Sequence, residues 1–268
     1  MKKLEELRAR IRALEQVVVC FSGGVDSTLL LKVAREELGN NVLAVTIVSE
    51  LFPRNEQDEA IRLARLIDVD HLKIAGEELA NPLFTVNPEI RCYHCKKARF
   101  RQIWKIARDR GIEAVADGAN HDDLRDYRPG KQANREQGVI SPLCETGLNK
   151  DEIRQLSRSL GLPTWDKPAL ACLASRIAYH QTITAEKLRQ IDEGESYLRR
   201  LNFNGNIRVR HHGPVARLEV DPEEISVLTS AKVRNLLTTY FQSIGFDYVA
   251  VDLQGYIRGS LNRAILKD

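Results

Sequence analysis

Residues 17–27 read Val17-Val18-Val19-Cys20-Phe21-Ser22-Gly23-Gly24-Val25-Asp26-Ser27, and the helical-looking stretch 28–38 follows directly. The β-branched apolar run predicts a buried strand, the polar residues after it a tight turn, and the periodicity beyond them a helix. Two adjacent glycines let backbone N–H groups turn inward without Cβ clashes. The hydroxyls of Ser22 and Ser27 add donors, and the helix N-terminus contributes the positive end of its dipole. A turn of this make is a site for phosphate or pyrophosphate. A Walker A loop would end in Gly-Lys-Ser/Thr, and a dinucleotide fingerprint would space three glycines; the stretch does neither. A Gly-Gly turn capped by Asp26 is the plain structural alternative.

Outward from this turn, strand and helix alternate. Residues 41–48 form an apolar β-rich run, 56–67 carry helical periodicity, 70–74 read as a third short strand and 113–116 as a fourth. Residues 139–143 are expected as a fifth. Such alternation predicts an α/β fold, a parallel sheet with helices on both faces, whose ligands bind at the carboxyl ends of the strands. The turn at 22–27 and the polar loop 117–123, with Asp117 and Gly118, fall at that edge. Residues 2–15 place Leu4, Leu7, Ile11 and Leu14 at helical spacing ahead of the first strand. Residues 124–134 read as an irregular charged segment suited to gripping a ligand. From 184 onward the rhythm changes to helix, two strands, a broken helix and a last strand, a small C-terminal α+β lobe. The expected division is residues 1–178 and 179–268.

Length and composition set outer limits. The 268 residues, 43% hydrophobic and 29% charged, suit a globular chain with an ample core, and no apolar run approaches the roughly 20 residues of a membrane helix. The N-terminus enters a charged amphipathic helix directly, so the expected location is cytoplasmic and no membrane partner is expected. A formal net charge of +3 provides no warrant for nucleic acid as a partner. Five cysteines, an odd number, argue against a disulfide framework and for metal binding or thiol chemistry at some of them.

Cys92 and Cys95 open a predicted helix within Arg91-Cys92-Tyr93-His94-Cys95-Lys96, and Cys172 stands alone in a loop. The two-residue gap lets neighbouring thiolates face one metal centre, and a third cysteine could close the set. A redox dithiol or half of a zinc site is the alternative, although no second Cys-x-x-Cys exists. Cys20 and Cys144 read as packed or peripheral thiols. Arg176 lies close enough in sequence to stabilise a Cys172 thiolate. Arg208 and Arg210 alternate along a strand and so share a face, either as a solvated strand face or as an anion site, since paired guanidiniums suit a phosphate monoester.

Ser22-Gly23-Gly24-Val25-Asp26-Ser27 resembles the PP-loop of the ATP pyrophosphatase superfamily, whose members cleave ATP between the α and β phosphates and attach AMP to a substrate oxygen. Together with the 91–96 segment, Asp117-Gly118-Ala119-Asn120, Trp165-Asp166-Lys167-Pro168 and Ala171-Cys172-Leu173-Ala174-Ser175-Arg176, the chain is similar to the LarE family over nearly its whole length. That family installs sulfur on pyridinium-3,5-biscarboxylic acid mononucleotide during synthesis of the nickel-pincer nucleotide cofactor of lactate racemase. The resemblance implies ATP and Mg2+ at residues 22–27, 117 and 118, with Asp26 holding part of the metal shell. It implies a 4Fe-4S cluster on Cys92, Cys95 and Cys172, replenished from a sulfide source, and catalytic roles for Cys172, Asp26 and Arg176. Arg176, Arg208 and Arg210 would bind the substrate mononucleotide, Glu219 falls at a family metal or subunit-contact position, and the assembly would be a homo-oligomer. Three alternatives remain: sacrificial loss of the Cys172 sulfur to leave dehydroalanine, a cluster-dependent tRNA thiolase, and a non-catalytic nucleotide sensor.

Overall fold

The β-branched run at Val17–Cys20 is strand β1, and Val17, Val18 and Val19 are fully buried, as a strand covered on both faces requires. The computed structural model describes residues 2–124, 130–168, 171–257 and 259–261. Internal contacts divide the chain into two units, Met1–Phe84 with Ile90–Leu170, and Thr85–Glu89 with Ala171–Asp268. The expected boundary lay after residue 178; in these contacts Ala171 already belongs with the C-terminal lobe, as does the short inset Thr85–Glu89.

In the first unit, β1, β2 (Val42–Val48), β3 (Asp70–Ala75) and β4 (Val115–Ala116) form a parallel sheet in the order β3-β2-β1-β4. Side chains alternate between its faces. Val17, Val19, Val42 and Ala44 face a core shared with α1 (Lys2–Arg12), α2 (Val25–Leu38), α3 (Arg54–Ile67) and α8 (Lys150–Ser159). Val18, Leu43, Val45 and Ile47 face Phe100, Ile103 and Ala107 of α5 (Arg91–Asp109) and Ala133 of α6 (Gly130–Glu136). The α/β fold with helices on both faces is therefore observed. A one-turn helix, α4 (Pro82–Thr85), precedes α5.

Two expectations are corrected. Residues 139–143 are not a strand: only Ile140 bridges Ala116, and Pro142 opens the short helix α7 (Pro142–Glu145), because proline is suited to a first helical turn and cannot donate to a ladder. The second half of the segment expected to be irregular is helix α6, packed on α5; residues 125–129 lie outside the described residues.

In the second unit, β5 (Arg208–His212) and β6 (Val215–Glu219) form an antiparallel hairpin turned at Gly213, whose φ of +63° is left-handed, and β7 (Tyr248–Val251) joins β6 in parallel. Helices α9 (Ala185–Arg200) and α11 (Ala231–Ser243), with the short α10 (Ile225–Leu228) between β6 and α11, supply Leu198, Leu228, Leu237 and Phe241 to the core over Val209, Ala216 and Leu218. The expected α+β lobe is present. Among the described residues no helix is long and apolar enough to cross a membrane.

Candidate active site

At the carboxyl end of β1 the chain turns at Gly23, whose φ is +69°. A Cβ there would lie 3.1 Å from Ala60 Cα on α3, so the position demands glycine on both conformation and space. Ser22 Oγ and Ser27 Oγ lie 3.1 Å apart, Gly24 N–H reaches Ser22 Oγ at 3.4 Å, and Ser27 Oγ donates to Gly24 O at 3.2 Å. Gly24 caps α2 without a side-chain bond, which leaves first-turn N–H groups of Val25–Ser27 for a ligand. The loop after β4 closes the other side. A Cβ on Gly118 would sit 2.9 Å from Ser27 N and 3.1 Å from Ser27 Cα, so two backbones meet there with no room for a side chain.

Asp117 and Asp26 differ in what holds them. Asp117, 7% exposed, accepts from Asn134 Nδ2 at 2.6 Å, Ser141 Oγ at 2.7 Å, Ala119 N–H at 3.1 Å and Lys96 Nζ at 3.3 Å. Its carboxylate braces the loop that carries Gly118. Asp26 pairs with Lys150 Nζ at 2.5 Å and accepts from Asn120 Nδ2 at 3.2 Å. Lys150 is the first residue of α8, which Asn149 and Glu152 start with a reciprocal capping box. Lys167 Nζ donates to Gly23 O at 3.1 Å. Three lysines thus converge on this edge, and sequence reasoning assigned none of them a role. The capping box was the available signal for Lys150, and the Trp165-Asp166-Lys167-Pro168 run for Lys167.

Cys92 and Cys95 lie in the first turn of α5, three residues apart and therefore on one side of the helix. Cys92 is exposed and Cys95 half-buried. Tyr93, between them, turns elsewhere: its hydroxyl donates to Glu136 at 2.6 Å, and Lys97 joins both at 2.6 and 3.0 Å. The Tyr93 hydroxyl first, then Lys97 and Gln132, hold the Glu136 carboxyl down at about 2. Burial pushes the Cys20 and Cys144 thiols up, consistent with structural thiols. Among the described residues no group of three or more His, Cys, Asp and Glu side chains is gathered as a metal site. Cys92 and Cys95 belong to the first unit and Cys172 to the second.

Within the second unit, Cys172 precedes a single 3-10 turn, Leu173–Arg176. The Arg176 guanidinium is 3% exposed and forms a two-point pair with Glu195, at 2.8 and 3.0 Å. Its remaining nitrogen donates to the carbonyls of Ala171 and Cys172 at 2.8 and 3.1 Å and to Ser175 Oγ at 3.0 Å. Arg176 therefore grips the backbone that carries Cys172. Arg210 is buried in a two-point pair with Glu219, at 2.9 and 2.8 Å, and donates to Ser175 O at 2.8 Å. Glu219 also faces Arg217 at 3.2 Å. Arg208 is placed differently. It lies over the Tyr256 ring at 4.9 Å and donates to Ile207 O, and burial, then the nearby Arg176 charge, push its pKa down. Neither Arg208 nor Arg210 belongs to a solvated strand face: Arg210 is 6% exposed and Arg208 half-buried.

A parallel sheet whose first strand runs into a Ser-Gly-Gly-x-Asp-Ser turn, braced by glycine contacts from the neighbouring loop, defines an α/β domain of the PP-loop class. Residues 4–92 match the asparagine synthase family model. The chain is 46% identical to the uncharacterised protein slr1717 of Synechocystis sp., over 99% of this chain and 98% of the other. It is 37% identical, over 99% and 95%, to the pyridinium-3,5-bisthiocarboxylic acid mononucleotide synthase of Lactiplantibacillus plantarum. A GMP synthase of Aeropyrum pernix is 28% identical over 68% of this chain and 39% of its own length. The chain belongs to the LarE family, that of the pyridinium-3,5-bisthiocarboxylic acid mononucleotide synthases.

Proposed function

We propose that this protein is an ATP-dependent sulfur transferase acting on pyridinium-3,5-biscarboxylic acid mononucleotide, which it adenylates at a carboxylate and converts to a thiocarboxylate. The observation that carries the reading is the turn at Ser22–Ser27, locked between Ala60 and Gly118 with hydroxyls and first-turn N–H groups on one side. The substrate class rests on full-length kinship to a synthase named for the bisthiocarboxylic product.

A substrate carboxylate oxygen attacks the α-phosphorus of ATP; the bond to the bridging oxygen breaks and pyrophosphate leaves with its electron pair. Negative charge then grows where the loop donors are fixed in advance, which lowers the barrier without reorganisation. Ser22, Ser27 and the N–H groups of residues 24–27 take the phosphates. Lys150, now on Asp26, supplies a cation at this edge to balance the departing charge. A sulfur nucleophile next attacks the acyl carbon, and AMP leaves. Arg208, half-buried on the Tyr256 ring with no carboxylate bonded to it among the described residues, suits the phosphate of the mononucleotide.

Two inorganic groups fit these residues by donor chemistry. The Asp26 carboxylate and the Ser27 hydroxyl are hard oxygen donors suited to Mg2+, which would neutralise phosphate charge. Cys92 and Cys95 on one side of α5, with Cys172 on its gripped segment, would hold a 4Fe-4S cluster. Such a cluster would supply sulfide-level sulfur as the nucleophile. The enzyme would act from the cytoplasm as a homo-oligomer fed by a sulfide source.

The deciding experiment is anaerobic reconstitution with iron and sulfide, followed by turnover with ATP and the biscarboxylate mononucleotide. Pyrophosphate, AMP and thiocarboxylate in more than one equivalent per chain are expected, with iron retention lost in Cys92→Ala. Dehydroalanine at Cys172 without bound iron would assign the sacrificial route instead. No pyrophosphate release on adding substrate would reduce the protein to a nucleotide sensor.

A further inference from the structure

Lys167 is the most heavily committed cation at the phosphate loop, and neither its own position nor the loop motif assigns it a role. Its side chain is 11% exposed, and its ammonium lies 2.6 Å from Glu59 and 2.7 Å from Glu56, both on α3. The same ammonium donates to Gly23 O at 3.1 Å. The segment carrying Lys167 is itself fixed, because Arg154 of α8 donates to the carbonyls of Trp165 and Lys167 at 2.8 Å each. Lys167 N–H returns to Thr164 O at 3.1 Å.

The consequence follows from peptide geometry. A trans peptide points its C=O and the following N–H in opposite directions, and no cis peptide occurs in the described chain. Anchoring Gly23 O to Lys167 therefore directs Gly24 N–H to the other side of the same plane, where it meets Ser22 Oγ at 3.4 Å. The Gly23–Gly24 peptide needs such an anchor. Gly23 is in the left-handed region, and two consecutive glycines resist rotation least of any pair.

We propose that Lys167 is a positioning residue of the phosphate loop: held between Glu56 and Glu59, it clamps the Gly23 carbonyl and so aims the Gly24 N–H at the bound phosphates. This deepens the ATP reading above and rests on it. Two carboxylates already balance Lys167, so its charge works on the backbone and not on the ligand.

Calorimetric titration of the full-length protein with inorganic pyrophosphate, MgATP and adenosine separates the possibilities. Lys167→Met is expected to weaken pyrophosphate and MgATP by about tenfold or more, the scale of one charge-assisted hydrogen bond, and to leave adenosine unchanged. Lys167→Arg should recover part of the loss. Glu59→Gln, a change at the more exposed of the two carboxylates that loosens the clamp without deleting it, should give a smaller loss with the same selectivity, and serves if Lys167→Met does not fold. Equal weakening of pyrophosphate and adenosine, or wild-type pyrophosphate affinity in Lys167→Met and Glu59→Gln, would overturn the clamp. A wild-type protein that binds neither MgATP nor pyrophosphate would bring down the ATP reading itself, and the clamp with it.

Discussion

Gly118 rests on the backbone of Ser27 so closely that a Cβ at residue 118 would stand 2.9 Å from the Ser27 amide nitrogen. Backbone on both sides means that neither partner can swing away as a flexible side chain would. Gly118→Ala should therefore push the first turn of α2 out of line. The expected loss in ATP-dependent turnover is on the order of 100-fold, the scale of an ångström misplacement of reacting groups. Initial rates of pyrophosphate release, alongside a thermal melt showing a folded protein, check this.

Arg208 and Arg210 should separate cleanly in mutagenesis. Arg210→Ala takes from Glu219, 1% exposed, its two-point partner, leaving it Arg217 at 3.2 Å, and is expected to cost about 3 kcal/mol of stability. Arg208→Ala removes a guanidinium that holds no carboxylate among the described residues, so unfolding should move by less than about 1 kcal/mol. Affinity for the mononucleotide should fall by about tenfold or more. Urea unfolding of both variants, with substrate titration of the folded ones, distinguishes the two roles.

Thr46 ties the sheet to the same turn. Its hydroxyl donates to Phe21 O at 2.7 Å, one residue before Ser22, and His71 Nε2 lies 2.8 Å from Thr46 Oγ1. With the Thr46 proton already given to Phe21, His71 must be the donor. Thr46→Val leaves a buried carbonyl without this partner and should destabilise the fold by about 1–3 kcal/mol. His71→Phe, which keeps the Thr46–Phe21 bond, should cost less; denaturation midpoints compare them.

Acid should weaken the second unit through His211. Burial, with Lys187 and His212 adding to it, lowers His211 to about 4, while Gln190 Oε1 lies 3.0 Å from its Nε2 and Phe246 packs beside the ring. An unfolded histidine titrates near 6.5. Between about 4 and 6.5 the unfolded chain takes up a proton that the folded chain refuses, so stability falls as pH drops through that window and levels below it. His211→Gln should flatten that part of the curve relative to wild type, measured as urea midpoints at a series of pH values from neutral to acid.

What was legible in the sequence was what local pattern encodes. The valines of β1, the glycine turn and the alternation of strand and helix each carry their own signal, and all are found. Residues 139–143 misled because an apolar run alone does not distinguish a strand from a helix start, and Pro142 decided it. Helix α6 hid behind Pro129-Gly130, a pair that ordinarily marks a turn. The lysines at 96, 150 and 167 were invisible as a group because only the closed sheet edge brings them to one loop. That the Arg176 guanidinium goes to Glu195 as well as to the carbonyls of Ala171 and Cys172 was equally hidden, because a pairing between distant positions leaves no local trace.

The inset Thr85–Glu89 has a consequence for how this protein can be dissected. Asn87 Nδ2 reaches the carbonyls of Ile177, Ala178 and Gln181, and Ile183 N–H pairs with Thr85 O, so the second unit is completed by residues encoded far upstream of it. A fragment starting at Ala171 would lack those partners and carry open carbonyls in their place. No single cut yields two whole pieces. Recombining the C-terminal lobes of relatives would succeed only if five residues from the middle of the first unit's sequence travel with them.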